Sequence, residues 1–364
     1  VVRTWLTTKW LVIGGPVESV VSPSSYSQQS DQMDKALIGI ESTAHTFGVG
    51  VCSLDHEILF NHCSTFITTE GGIHPREAAR HHANQAPRLL KKALDFMDSS
   101  RLQLVGVSVA LGPGLGPCLR IGAVTARAVS LKFGVPLLPI NHSVAHIEVA
   151  RKFSVTGDPV TLFVSGGNTA IVLFSADKYV VMGETLDISV GNLLDVLARD
   201  MGFGYPGAPR LLELAQASTN FIELPYSIKG QDVSFSGILT HSRKLLSKGI
   251  DKASLAFSVV ETSFSMLTEA VERVLAFSGK KEVSLTGGVA RSRRLSSMLE
   301  EMCRERNTKF SVVPPDLAGD NGAMIAYVGS LYYPYNYKIP VEQSFVRPRW
   351  RIEKVYIPWR QSWV

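Results

Sequence analysis

Apolar residues in this chain fall in short runs separated by tight polar loops, and one such arrangement occurs twice. Ala36–Ile40 and Phe47–Cys52 flank Ser42-Thr43-Ala44-His45-Thr46, and Thr161–Val164 and Ala170–Phe174 flank Ser165-Gly166-Gly167-Asn168-Thr169. Each copy reads as strand, polar loop, strand. The copies lie about half a chain apart, which points to a duplicated domain. Glycine and hydroxyl residues in such a loop can expose N–H groups to a phosphate. A lone hairpin turn would have the same composition, but two copies in register favour nucleotide or phosphate.

Longer segments carry helical periodicity. Pro75 opens one with Ala79, His82, Ala86, Leu89, Ala93 and Met97 on one stripe, and Pro87 should kink it. Leu119, Ala123, Ala126, Val129 and Phe133 mark a second, closed by Gly134. Leu255, Val259, Met266, Ala270, Val274 and Phe277 mark a long third, ended by Gly279. Val105–Leu111 and Val283–Leu285 read as buried strands, and Gly287-Gly288 leads from the latter into a helix. Strands alternate with helices, so the class is α/β.

Composition narrows the choices. The 364 residues suffice for two domains, and 45% hydrophobic against 19% charged content excludes disorder as the dominant state. Four scattered cysteines without C-x-x-C argue against a disulfide framework. No apolar run reaches membrane-spanning length, so no membrane partner is expected. The net charge of +5 is mild, but Arg347, Arg349, Arg351, Lys354 and Arg360 face only Glu353 in one stretch, interleaved with Trp350, Tyr356 and Trp359. That stretch reads equally as a polyanion-binding edge or as a solvated final strand. Residues 1–32 are rich in serine and poor in acids; they read as an extension outside the fold, either a transit peptide or an upstream reading-frame segment.

Motifs differ in weight. Gly202-x-Gly204-x-x-Gly207 matches a dinucleotide fingerprint but follows a helical stretch, so its context fails. Gly287-Gly288, between strand and helix, would let a flat ring or phosphate approach the backbone. His142 and His146 lie four apart, on one face of a helix, as a metal requires. A protease reading fails because Ser143 stands where the catalytic glutamate belongs. Asp320 alone reads as a plain N-cap, and His81-His82 as a core or surface pair.

Taken in order, several strings resemble the tRNA threonylcarbamoyltransferase family. They are Gly39-Ile40-Glu41-Ser42-Thr43-Ala44-His45-Thr46, Gly71-Gly72-Ile73-His74-Pro75-Arg76, Asn141-His142 with His146, and Val164-Ser165-Gly166-Gly167-Asn168-Thr169. Gly183-Glu184-Thr185-Leu186-Asp187, Ser234-Phe235-Ser236-Gly237, Gly287-Gly288-Val289-Ala290 and Asp320-Asn321-Gly322-Ala323-Met324 complete the set. The resemblance is to the archaeal and eukaryotic branch, the catalytic subunit of the KEOPS complex, once called sialoglycoprotein endopeptidases. It implies an actin-like ATPase (ASKHA) fold, with lobes at 33–155 and 156–345 and a basic tail at 346–364. It implies transfer of the threonylcarbamoyl group of threonylcarbamoyl-AMP to N6 of the adenosine just 3′ of the anticodon, in tRNAs reading codons that begin with adenine. One divalent metal would sit on His142, His146 and Asp320, iron(II) ahead of zinc(II), although the donor types suit both. Phe163, Val164, Ser165, Gly166, Gly167, Asp195, Gly207, Ala208, Leu212, Gly287, Gly288 and Ser292 would line the adenylate site. The implied partners are tRNA, a separate small kinase-ATPase and small accessory subunits, in the cytoplasm.

The chain departs from that family's pattern at four places. Phe163 replaces a metal-binding tyrosine, Leu212 an adenylate-contacting glutamate (Glu213 follows it), Ala208 a glycine and Ser292 an asparagine. These departures leave open a weakened tRNA- or nucleotide-binding subunit of the same complex. An actin-fold small-molecule kinase or ATPase is the third reading.

Overall fold

The computed structural model describes residues 33–68 and 72–361. The expected extension at 1–32, Gly71 and the last three residues of the expected tail lie outside them. The first half runs β1 (Asp34–Glu41), β2 (Thr46–Ser53), β3 (Ile58–Thr65), α1 (Pro75–Ser99), β4 (Leu102–Gly112), α2 (Gly116–Phe133), β5 (Leu137–Asn141) and α3 (His142–Lys152). The second runs β6 (Val160–Val164), β7 (Thr169–Ser175), β8 (Lys178–Glu184), α4 (Val190–Asp200), α5 (Ala208–Ala215), β9 (Ile228–Lys229), β10 (Asp232–Val233), α6 (Ser236–Ser247) and α7 (Lys252–Ser278). It ends with β11 (Glu282–Thr286), α8 (Arg293–Glu305), β12 (Lys309–Val312), α9 (Pro315–Ala318) and α10 (Gly322–Tyr332).

The duplication read from the loops is a duplication of sheets. One five-stranded sheet has the order β3-β2-β1-β4-β5 and the other β8-β7-β6-β11-β12. In each, three strands meander antiparallel and two more join in parallel. The parallel strands need crossovers, which α1, α2 and α4–α8 supply.

The helical stripes hold with local corrections. In α1 it is Ala78 rather than Ala79 that is buried, followed by His82, Ala86, Leu89, Ala93 and Met97. The helix runs on through Pro87, because that residue and Ala83, whose carbonyl loses a donor, are both exposed. Phe133 and Phe277, expected on apolar stripes, are 42% and 74% exposed. Each sits in the last turn, beyond the edge of the core, next to a left-handed glycine cap at Gly134 or Gly279.

Helix α10 crosses back and packs on β1 and β2. Glycines make the approach possible: a side chain at Gly39 would meet the Ala326 nitrogen at 2.1 Å, and one at Gly50 the Ala323 nitrogen at 2.3 Å. Ala323–Tyr332, Trp350, Ile352, Val355 and Ile357 thereby join the core of the first sheet. No strand forms in the basic segment. Ile352–Lys354 and Pro358–Arg360 are 3₁₀ turns, with Trp350 buried and Tyr356 exposed. Loops of the two halves also meet, through backbone bonds between Thr68 and Tyr205 at 3.3 and 3.0 Å.

Candidate functional site

Helix α3 is buried along most of its length, from His142 to Ala150, between the two sheets. Its start is fixed locally. Asn141 ends β5 and caps the helix, accepting from Ser143 N (3.0 Å) and Val144 N (3.1 Å), while its amide donates to the Trp350 carbonyl at 3.0 Å. This cap places His142 in the first turn. His146 follows one turn later, and Thr286 at the end of β11 donates to its carbonyl at 3.1 Å.

Asp320 is not the cap of α10. Asn321 is, accepting from Met324 N at 2.9 Å. The Asp320 carboxylate is thereby free to turn to the histidines: Oδ1 lies 3.2 Å from His146 Nε2 and 3.7 Å from His142 Nε2. One ligand atom from each of His142, His146 and Asp320 lies within 4.8 Å of the others. Residues far apart in sequence converge here because α3 and α10 pack together on the first sheet.

The sequence reading gave no role to Glu41. Its Oε2 lies 2.9 Å from His142 Nδ1, and its Oε1 accepts from Thr43 N at 2.6 Å. The Thr43 hydroxyl is 3.3 Å from the same ring nitrogen. The available signal was an acid ending an apolar strand, where a buried carboxylate demands a partner. Burial works to lower the His142 pKa, but the Glu41 and Asp320 charges outweigh it and raise it to about 9. Burial dominates at His146 and holds that imidazole below its ordinary value. Burial would raise Asp320, yet the His142 charge and the His146 bond hold it well below the usual carboxylate range.

This donor set fits a divalent cation. Two imidazole nitrogens and a carboxylate converge, and the other nitrogen of His142 faces a carboxylate, the arrangement that orients metal-binding histidines. His146 Nδ1 is buried without a partner among the described residues. Phe163, 2% exposed, stacks on His146 with ring centres 4.8 Å apart.

The two polar loops have diverged. The first holds His142 through Glu41 and Thr43 and is mostly buried. The second stays open: a side chain at Gly166 or Gly167 would meet nothing within 4 Å. Ser165 Oγ accepts from Asn168 N (3.0 Å) and Gly167 N (3.3 Å), and Ser189, the cap of α4, donates to the Gly166 carbonyl at 2.6 Å. Val164 is wholly buried beside this loop.

Asp195 Oδ1 accepts from Gly207 N (2.9 Å) and Ala208 N (2.8 Å) at the start of α5. Leu212 is half-buried against the second core, while Glu213 is exposed. Gly287 and Gly288 enter a 3₁₀ turn, Gly288–Arg291, before α8 begins at Arg293; Ser292 caps α8 without a side-chain bond. Two of the strings meet in space: Asp187 accepts from Phe235 N at 2.9 Å, from Ser236 N at 3.0 Å and from the Ser234 hydroxyl. His82 belongs to the core, bonded to the Ala44 carbonyl at 3.0 Å. Among the described residues no helix is long and apolar enough to cross a membrane.

Comparison with known proteins agrees with this layout. Among solved structures, HypF of T. kodakarensis superposes with a TM-score of 0.55 at 14% identity, over 84% of this chain and 48% of that one. The activator of the 2-hydroxyisocaproyl-CoA dehydratase from Clostridium difficile does so with a TM-score of 0.50 at 13% identity, over 84% and 99%. These show the actin-like (ASKHA) α/β fold, built on two mixed five-stranded sheets. In sequence, the tRNA N6-adenosine threonylcarbamoyltransferase of Thermofilum pendens is 50% identical over 325 residues, 89% of this chain and 97% of that protein. That of Archaeoglobus fulgidus is 46% identical over 322 residues, 88% and 99%. The family model for tRNA N6-adenosine threonylcarbamoyltransferase matches residues 57–327. With that match and relatives half identical over nearly their full length, the chain belongs to the tRNA N6-adenosine threonylcarbamoyltransferase family.

Proposed function

We propose that this chain transfers the threonylcarbamoyl group from threonylcarbamoyl-AMP to N6 of the adenosine just 3′ of the anticodon, in tRNAs reading codons that begin with adenine. The observation that carries the reading is the convergence of His142, His146 and Asp320, with Phe163, two residues before the loop that is open at Gly166 and Gly167, stacked on His146. In the reaction the N6 amine attacks the carbamoyl carbon, the bond from that carbon to the phosphate oxygen breaks, AMP leaves and the amine gives up a proton.

The residues divide the work. The Ser165-Gly166-Gly167 turn, backed by the N-terminus of α4, receives the phosphate end. Asp195 keeps one oxygen on the α5 backbone and offers the other to a ribose hydroxyl. Gly288 leaves room for the adenine ring, next to Gly287, whose lack of a side chain lets the turn pass close against Val164, and Leu212 and Ser292 supply an apolar contact and one hydroxyl where the related pattern has Glu and Asn. Phe163 holds the His146 ring by stacking. Once His142 gives up its Nε2 proton to a cation, Glu41 keeps the remaining proton on Nδ1, so that Nε2 can face the centre as a donor. A divalent cation on His142, His146 and Asp320 would supply Lewis-acid polarisation of a carbonyl or phosphate oxygen; iron(II) stands ahead of zinc(II). The chain works as the catalytic subunit of a KEOPS-type complex in the cytoplasm, with a small kinase-ATPase and accessory subunits.

The test is a transfer assay with the purified chain, partner subunits, threonylcarbamoyl-AMP and unmodified tRNA, read by mass spectrometry. Threonylcarbamoyladenosine should form with the wild type and be lost in His142→Ala and His146→Ala. Its absence, with partners competent beside another catalytic subunit, would refute the reading.

A further inference from the structure

We propose that the cavity between α3, the β7–β8 edge and the Arg349–Glu353 segment receives the acceptor purine base of an RNA loop, with Arg349 holding a backbone phosphate at its rim. This rests on the transferase reading and adds the place where the acceptor enters. The cavity measures about 410 Å³, within the size range of small-ligand pockets. Phe163 and Ser143 are among its lining residues. The Phe163 ring is stacked on His146, and Ser143 directly follows His142, so two of the lining residues adjoin the three-donor group.

Its chemistry is graded. Val172 and Val181 give apolar wall, and Asn168 gives an amide able to bond a purine ring nitrogen. Glu184 and Glu353 on the same lining disfavour a free anion inside. The cations differ in what they already hold. Arg351 is paired with Glu353 at 2.8 Å, and Arg347 lies over the Trp350 ring at 4.7 Å. Arg349 is exposed and has no ion-pair partner among the described residues. A neutral base within and a phosphate on the unpaired guanidinium outside match this gradient. An attacking N6 amine also requires its base to leave the stack, which costs little in a single-stranded loop.

The test uses the full chain and an anticodon stem-loop RNA with 2-aminopurine at the position 3′ of the anticodon. No adenylate is present, and fluorescence and filter binding are read together. Binding to the wild type should change the fluorescence as the base unstacks. Arg349→Ala should lower the slope of log affinity against log salt by about 1. Ala170→Trp, which plugs the cavity, should abolish the fluorescence change while RNA is still retained on the filter. If the plugged variant fails to fold, Arg349→Glu, at an exposed position, carries the test with a larger loss of binding. An unchanged salt slope in Arg349→Ala, or an unchanged fluorescence response in a folded Ala170→Trp, would overturn the proposal. A normal fluorescence response with no product in the complete transfer assay would support the cavity and count against the transferase reading instead.

Discussion

Glu41 and His142 meet at 2.9 Å, the carboxylate wholly buried and the ring 6% exposed. Replacing Glu41 by Gln keeps the shape and removes the charge. If the new amide nitrogen faces His142, Nδ1 must accept, the ring proton moves to Nε2, and the lone pair facing the centre is lost. If the amide oxygen faces His142, Thr43 N loses its acceptor. Glu41→Gln should therefore weaken metal binding by about 10–100-fold. Calorimetric titration of the metal-free protein with zinc(II) or cobalt(II) measures this directly, and an unchanged affinity would dissociate Glu41 from the donor set.

The adjacent glycines Gly287 and Gly288 should respond oppositely to the same substitution. Gly287 has φ +95°, and a side chain there would lie 2.2 Å from the Val164 carbonyl oxygen. Gly287→Ala meets both a left-handed backbone and a clash with a buried strand, so it should destabilise by at least about 2 kcal/mol. Gly288 has open space around it. Gly288→Ala should change stability by no more than about 0.5 kcal/mol while weakening adenylate binding. Urea unfolding and adenylate titration of the pair separate the two roles.

Glu282 should govern part of the acid limb of stability. It is buried at the start of β11 and accepts from Val155 N (2.9 Å), Thr156 N (2.7 Å) and the hydroxyls of Ser154 and Thr156 (both 2.7 Å). Burial would raise its pKa, but the Thr156 and Val155 N–H bonds and the two hydroxyls hold it below the ordinary value. Because the folded pKa is the lower one, the stabilisation is complete above the unfolded value near ~4.3. It is lost as pH falls from there through the folded pKa. Stability measured between neutral and strongly acid pH should fall less steeply below that point in Glu282→Gln than in the wild type.

What the sequence revealed follows from what is local. Both hairpins, the helical stripes and the glycine caps depend on neighbours within a turn or two. His142 and His146 are legible for the same reason, since they share one face of one helix. Glu41 is not, because its partner is 101 residues away and becomes visible only once β1 and α3 are packed. Asp320 reads as a cap until Asn321 is seen to take that role. Periodicity places Phe133 and Phe277 on the right faces but does not say where along the axis the core stops. The basic segment reads as a strand or an edge because alternation alone does not reveal that Trp350 and Ile357 are anchored under the first sheet.

Phe163 offers the sharpest test of the donor set. Its ring is 2% exposed and lies against His146 with a 30° angle between planes. In the family pattern the same position carries a tyrosine whose oxygen binds metal. Phe163→Tyr restores that oxygen in a buried setting. Without metal, the added hydroxyl gains no obvious partner, and burying it should cost about 1–3 kcal/mol. With a cation on His142, His146 and Asp320, the hydroxyl becomes a further ligand and the cost is recovered. The rise in Tm on adding zinc(II) or cobalt(II) should thus be larger in Phe163→Tyr than in the wild type, and transfer activity should rise with it. Equal increments would mean that the ring edge points away from the ion, so that Phe163 serves His146 only by stacking.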